Sequence, residues 1–468
     1  MTPALDRFLR YVAFDTQSSA KTGTHPSTPG QLVLADAVAD ELRALGARDV
    51  LRSADGYVYA AVPASPGREG EPALGFVAHL DTAAEASGAG VKPRVVRYDG
   101  GVLPLGDSGR SLDPATTPEL ARLEGRTLVV TDGTTLLGAD DKAGLAIVVS
   151  AAAALLAPDA PAHGEVRIAF TPDEEIGEGP LGFDAEAFGA RAAYTVDGSD
   201  LTAVGCANFN AALATFSVRG VAVHPGSAKG TMLNAIKVAA EILAALPPDE
   251  CPERTEGREG FFHPDEVEGT VGSARLGILV RDHDAANFER RKEELRHVER
   301  DLNAKYGEGT VALEIRDQYR NMEDVLKGRP ALVRAAMDAI AAEGYEPRLS
   351  AVRGGTDGAT LSWRGIPCPN IGFGGRNCHG EMEFLVVEEF EAALRVVLRL
   401  ACGSAARERP DRPRPPRSLA RAREIWSSQR GRKGRIRAAP LPARGKSGRV
   451  TAAARAGAAP FPFRAPSP

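Results

Sequence analysis

Residues 127–171 read TLVVTDGTTLLGADDKAGLAIVVSAAAALLAPDAPAHGEVRIAFT. Two short apolar runs, 127–131 and 165–171, flank an Ala-rich stretch from about Lys142 to Leu156 with the length and composition of a helix. Strand, helix and strand in that order predict buried strands covered by helices, an α/β arrangement. Apolar runs at 74–80 (LGFVAHL) and 192–196 (AAYTV) add further strands. A helix is expected over 31–46, where Leu34, Val38, Leu42 and Leu45 recur at helical spacing ahead of Gly46. Each apolar run ends in a cluster of His, Asp or Glu, and in open α/β sheets the crevice at the carboxyl ends of strands is where ligands bind.

The texture changes from about Asn208 to Met322. A strand pattern (AALATFSV), a helix near 234–246, two strands around EGTVGSAR and LGILVRD, a charged helix near 287–305 and a strand (VALEIRD) follow one another. That βαββαβ order suggests a ferredoxin-like α+β domain. LVRAAMDAIAAEGY and CPNIGFGG then resume the first style, so the middle segment reads as an insertion. The expected organisation is an α/β catalytic domain with a mostly parallel sheet flanked by helices, built from 1–207 and 323–402. The inserted domain spans 208–322 and a basic tail spans 403–468. Three consecutive domains are the alternative.

At 468 residues the chain exceeds what one hydrophobic core serves. No apolar run approaches the roughly 18 residues that cross a bilayer, and the first 19 residues carry no export-type apolar region, Leu5, Phe8, Leu9 and Val12 lying on one helical face instead. Five scattered cysteines without a CxxC pair argue against a disulfide framework or a thiolate site, and a reducing cytoplasm fits them. The net charge of −5 hides an asymmetry: residues 403–468 hold 17 of the 57 Lys and Arg but 3 of the 62 Asp and Glu. The body therefore carries −19 and would repel nucleic acid, and no membrane partner is expected. Rich in Arg, Pro, Ala and Gly, the tail is expected to be disordered. With Trp426, Phe461 and Phe463 as its aromatics, it makes a poor nucleic-acid arm; out-of-frame translation of GC-rich sequence gives the same composition.

The chemistry gathers at strand ends. His79 and Asp81 in VAHLDT share a face of an extended chain, and the carboxylate is placed to orient the imidazole, directly or through the backbone bend. LLGADDKAG brings Asp140 and Asp141 to a helix start, where acids are ordinary. FTPDEEIGEGP delivers Asp173, Glu174 and Glu175 into a Gly-rich turn; adjacent side chains diverge, so one glutamate can hold a metal while its neighbour faces a water. YTVDG supplies Asp197 and GGRNCHGEMEF supplies His379. Each motif alone is ordinary strand-end chemistry, but together they provide what amide hydrolysis needs. Two metals about 3.5–4 Å apart, sharing a carboxylate and a hydroxide, generate a nucleophile and stabilise an oxyanion. Nitrogen and oxygen ligands without thiolate suit zinc, with cobalt or manganese as substitutes. Two dications against Asp140, Glu175, Asp197 and one hydroxide are neutral, so the cluster can be buried. Glu174 is left free as the proton acceptor.

In order, VAHLDT, LLGADDKAG, FTPDEEIGEG, YTVDG, VHPGSAKG, RGGTDGA and HGEMEF resemble the co-catalytic dizinc metallopeptidase family that includes tripeptide aminopeptidases, carboxypeptidases and aminoacylases. The resemblance covers roughly residues 1–402. It implies that Asp140 bridges two zinc ions, that His79 and Asp197 complete one site, and that Glu175 and His379 complete the other. Asp81 and Glu174 take the catalytic positions. It further implies a lid-like inserted domain, a cis bond between Asp140 and Asp141, and substrate contacts from His224, Arg281 and Arg353. The implied activity is release of the N-terminal residue from tripeptides. Carboxypeptidase or N-acyl amino acid hydrolase activity is the alternative, with a non-catalytic peptide-binding protein more remote. Relatives of this family pair through the inserted domain, which makes a homodimer possible. The sequence departs from the family pattern in a Gly- and Ala-rich loop at 83–106, and in Arg376 and Cys378 where aromatics are usual.

Overall fold

The run at 74–80 is apolar up to its histidine, and it becomes the strand Leu74–His79, buried along its whole length. In the computed structural model, which describes residues 1–403, this strand lies inside an eight-stranded sheet. It pairs in parallel with Val166–Thr171 on one side and Ala192–Gly198 on the other. Asn370–Gly372 continues the parallel centre. Val58–Val62 and then Arg48–Arg52 add antiparallel strands at one edge. At the other edge Ala203–Asn208 runs antiparallel to Asn370–Gly372 and parallel to Arg348–Val352. The sheet is therefore mixed, with its parallel strands in the middle, where burial on both faces requires continuous apolar sequence.

Helix Ala139–Leu155 crosses this sheet and packs against helices Pro3–Tyr11 and Val387–Cys402. Its low amphipathicity follows from that position: Ala143, Leu145, Ala146, Ile147, Val148 and Val149 are all buried. Gly144 is required at its crossing, because a Cβ there would stand 2.1 Å from the carbonyl oxygen of Val196. The expected helix at 31–46 forms as Pro29–Leu45 and ends on Gly46 at φ +90°.

One strand of the opening stretch lies elsewhere than in the main sheet. Thr127–Val130 pairs with Arg94–Arg97 and Phe384–Val386 in a separate four-stranded sheet. Its alternation explains this. Leu128 and Val130 join Phe384 and Val386 in a small cluster on one face, while Val129 reaches the main core on the other.

Between Asn208 and Met322 the order is strand Asn210–Arg219, helix Ala235–Ala244, strands Phe261–Gly269 and Ser273–Asp282, helix Ala285–Tyr306 and strand Val311–Tyr319. The four strands form an antiparallel sheet with its own hydrophobic cluster, in which Phe216, Ile242, Leu276, Ile278 and Leu295 are buried. The chain's two crossings into and out of this segment are tied together. Asn208 Oδ1 accepts from the N–H of Met322 at 2.7 Å, and Asn321 Oδ1 accepts from the N–H of Asn208 at 3.0 Å. Asn210 Oδ1 accepts from the N–H of Asn321 at 3.0 Å. Among the described residues no helix is long and apolar enough to cross a membrane. Apart from Gly403, the tail expected at 403–468 lies outside the described residues.

Candidate metal centre

Five segments converge at the carboxyl ends of the central strands. His79 closes its strand and is 2 % exposed. Its Nε2 lies 2.9 Å from Asp140 Oδ1 and 3.6 Å from Asp197 Oδ1, the latter carboxylate coming from the strand Ala192–Gly198. Asp140 sits in an irregular helix start: Gly138 has φ +77°, and Asp140 and Asp141 have non-helical backbone angles. The peptide between the two aspartates is cis. The second oxygen of Asp140, Oδ2, faces His379 Nε2 at 3.4 Å. Glu175 Oε2 lies 3.1 Å from the same nitrogen. His379 is the open member of the set, 41 % exposed, on a loop where it adopts φ +68°.

Asp81 does more than orient His79. Its backbone carbonyl takes the nearest approach to His79 Nδ1, 2.9 Å, while its carboxylate is at 3.4 Å. The two carboxylate oxygens accept from the backbone N–H groups of Glu174 and Glu175 at 2.9 and 3.1 Å. Past the strand end those N–H groups have no ladder partner, and a buried carboxylate satisfies both. Asp81 thus fixes the turn from which both glutamate side chains leave.

The charges of the centre are badly matched without a cation. Burial and the adjacent Asp197 hold the carboxyl of Glu174 well above the usual range. Burial and the Asp140 charge push Glu175 up to about 7, and burial raises Asp197 to about 6. Asp140 is held low although burial opposes its charge, because His379 and His79 both donate to it. Hydrogen bonds to Asp140 and Glu175 lift His379 to about 11. For His79, burial opposes the imidazolium, yet its bonds to Asp140, Asp197 and Asp81 raise it well above the ordinary value. Three acids press towards protonation and two histidines are held protonated, so protons occupy the place that positive charge should take.

The donor set fits divalent cations. His79, Asp140 and Glu175 offer atoms within 4.8 Å of one another, as do His79, Asp141 and Asp197. Glu175 Oε1 is buried with no hydrogen-bond partner, an acceptor that lacks only a cation. Asp141 is the weaker donor, since its oxygens accept from the N–H groups of Gly144 and His79 at 3.0 and 3.1 Å. Binding must displace the protons just described. Calorimetric zinc titrations in buffers of different ionisation enthalpy are expected to show net proton release, with apparent affinity falling between about pH 8 and about pH 6. Affinity independent of pH over that range would contradict the ligand set.

The candidate substrate residues stand apart from this cluster. His224 is exposed at the start of the turn Pro225–Ser227, with its Nδ1 accepting from the N–H of Gly226. One guanidinium nitrogen of Arg281 donates to the carbonyls of Ala212 and Val280, and the group lies 5.4 Å from the centre of the Tyr319 ring. Arg353 donates to the carbonyls of Gly257 and Glu259 and to Thr255 Oγ1, over the rings of Phe209 and Phe261. A cleft of ≈ 380 Å³ opens beside the cluster, with Asp140, Glu174, Glu175, Asp197 and His379 in its wall. Asp200, Arg348, Ser350, Thr356 and Asn370 are among its other lining residues, and His224, Arg281 and Arg353 are not part of its lining. Arg376, noted as a departure, pairs with Glu119 and Glu389. Cys378 Sγ lies 3.5 Å from Ser199 Oγ.

Two buried acids fall outside the sequence expectations. Asp357, buried, accepts from Thr171 Oγ1 at 2.5 Å, and burial raises its carboxyl to about 7. Glu383 is buried beneath the bend that carries Asp140. Both belong to the motifs RGGTDGA and HGEMEF, where nothing local distinguishes them from solvated acids.

Residues 129–402 match the description "Peptidase family M20/M25/M40". The chain is 46% identical over 397 residues to a peptidase T of Shouchella clausii, covering 85% of this chain and 97% of that one. A peptidase T of Clostridium perfringens is 46% identical over 396 residues, covering 84% and 97%. Among solved structures, an aminopeptidase PepT from Bacillus cereus superposes with a TM-score of 0.67 at 22% identity, covering 86% of this chain and 98% of that one. A Bacillus subtilis protein described as a dinuclear metal binding peptidase gives 0.56 at 18% identity, covering 85% and 96%, and carries the same fold.

Proposed function

The chain belongs to peptidase family M20/M25/M40, and from that premise we propose that it is a two-zinc aminopeptidase that removes the N-terminal residue of tripeptides. It is a metallopeptidase; the tripeptide preference rests on the peptidase T relatives, which it matches over 97% of their length. The observation that carries the metal reading is the placement of Asp140, whose two oxygens face two different histidines at 2.9 and 3.4 Å. A carboxylate so placed could be shared between two cations. Asp140 would be shared, His79 and Asp197 would hold one zinc, and Glu175 and His379 the other, with cobalt or manganese able to substitute.

Bound there, the ions supply charge that polarises the scissile carbonyl and lowers the pKa of an attacking water. Glu174 accepts the proton of that water at its carboxylate and passes it to the departing amine, which leaves neutral. Asp81 acts on the backbone: by holding the N–H groups of Glu174 and Glu175 it keeps the base and its neighbour pointing into one site. Residues 208–322, with their own sheet and hydrophobic cluster, are proposed as a separate domain that closes over substrate, and the edges of that sheet could pair two copies. On closure His224, Arg281 and Arg353 would come to the peptide. That Cys206, Cys251, Cys368 and Cys378 form no disulfide among the described residues supports a cytoplasmic setting.

The test is a substrate panel with the zinc-loaded chain: tripeptides, dipeptides and N-acyl amino acids, with products identified by mass. Tripeptides are expected to lose their N-terminal residue fastest. Preferential release of a C-terminal residue, or preferential deacylation, would replace the aminopeptidase reading by one of its alternatives.

A further inference from the structure

Glu383 is 1 % exposed and carries a carboxylate that accepts three backbone N–H groups from one short stretch. Oε2 accepts from Leu137 and Gly138, both at 2.7 Å, and Oε1 from Asp140 at 3.1 Å. These donors need an outside acceptor. Gly138 is left-handed and Asp140 non-helical, so their N–H groups fall where a helix start leaves donors unpaired. The backbone of Glu383 faces the other way. Its N–H donates to the carbonyl of Gly380 at 3.1 Å, closing the turn that directly follows His379, and the next residue begins the strand Phe384–Val386. One buried side chain therefore joins two segments that are far apart in sequence, and each carries a member of the metal cluster.

We infer that Glu383 is a positioning residue for the metal centre, setting the approach of Asp140 to His379 by clamping the backbone that presents Asp140. The inference rests on the two-zinc reading above. The Glu383 carboxylate meets Asp140 at its backbone N–H, not at its side chain, and is proposed as no ligand. Its geometry is specific to a carboxylate: a glutamine could keep one oxygen on Leu137 and Gly138 but would turn an NH₂ group towards the N–H of Asp140, donor against donor. Asp140 would lose its backbone anchor while the rest of the bend stayed bonded.

The experiment is a zinc titration, by competition with a chromophoric chelator, of the full-length chain, of Glu383→Gln and of Glu381→Gln. Glu381 lies in the same loop and pairs with Arg110, so it controls for a change of charge there. Glu383→Gln is expected to weaken zinc binding by about 10–100-fold, the range for groups that orient ligands, and Glu381→Gln to match the unmodified chain. With saturating zinc, kcat of Glu383→Gln should fall while KM for tripeptide holds, and the visible spectrum of its cobalt form should shift. A merely structural role would lower the thermal midpoint of the metal-free chain without moving the cobalt spectrum. If Glu383→Gln does not fold, Glu383→Asp, which keeps the charge but shortens its reach by one methylene, is measured in its place and should also bind more weakly. Zinc affinity and cobalt spectrum equal to those of the unmodified chain overturn the inference alone; an unmodified chain that binds no zinc overturns the two-zinc reading and the inference together.

Discussion

Glu174→Gln is expected to lower kcat for tripeptide hydrolysis by about 10²–10⁴-fold, the usual worth of a positioned general base. The substitution keeps the shape and the backbone N–H that Asp81 holds at 2.9 Å, so the turn survives and Glu175 keeps its place. What disappears is the oxygen that takes a proton. Metal content should remain at the level of the unmodified chain, and KM should change little, because Glu174 lies outside the proposed ligand set. Steady-state kinetics beside elemental analysis measures both. Full activity in this variant would remove Glu174 from the mechanism, and a loss of metal would make it a ligand instead.

Asp140→Asn is expected to have the larger effect on the metals themselves. The carboxylate of Asp140 stands between His79 and His379 and is the group whose two oxygens serve both proposed sites. An amide offers one oxygen and no charge, leaving the remaining acids and histidines to hold two dications with less compensation. Zinc affinity should fall by more than the roughly 10–100-fold typical of groups behind the ligands, with activity at substoichiometric zinc lost. Stoichiometry after dialysis decides the matter: retention of two equivalents would show that Asp140 is not shared.

Much of this centre could be read from the sequence because its parts lie at the ends of short, locally patterned elements. His79 and Asp197 each follow an apolar run, and burial on both faces makes such runs visible as strands. The helix Pro29–Leu45 could be placed by its spacing and by Gly46, whose positive φ a side chain would resist. The unread parts depend on partners distant in the chain. Thr127–Val130 looks like any other buried strand, and only its pairing with Phe384–Val386 takes it out of the main sheet. The spacing of Asp81 and His79 points to a contact between them, directly or through the backbone bend, and gives no sign that the Asp81 carboxylate also serves Glu174 and Glu175, more than ninety residues downstream. Glu383 carries no local sign of its role, since a single acid before an apolar run reads as a solvated residue until three N–H groups from Leu137, Gly138 and Asp140 are found to converge on it. Arg353 likewise gives no warning that backbone carbonyls at Gly257 and Glu259 occupy its guanidinium.

The most direct test of the two-metal centre is anomalous diffraction at the zinc edge from crystals of the zinc-loaded chain. The expected map has two peaks about 3.5–4 Å apart with the Asp140 carboxylate between them, one peak beside His79 and Asp197 and the other beside Glu175 and His379. A single peak, or peaks that leave Asp140 without contact, would contradict it.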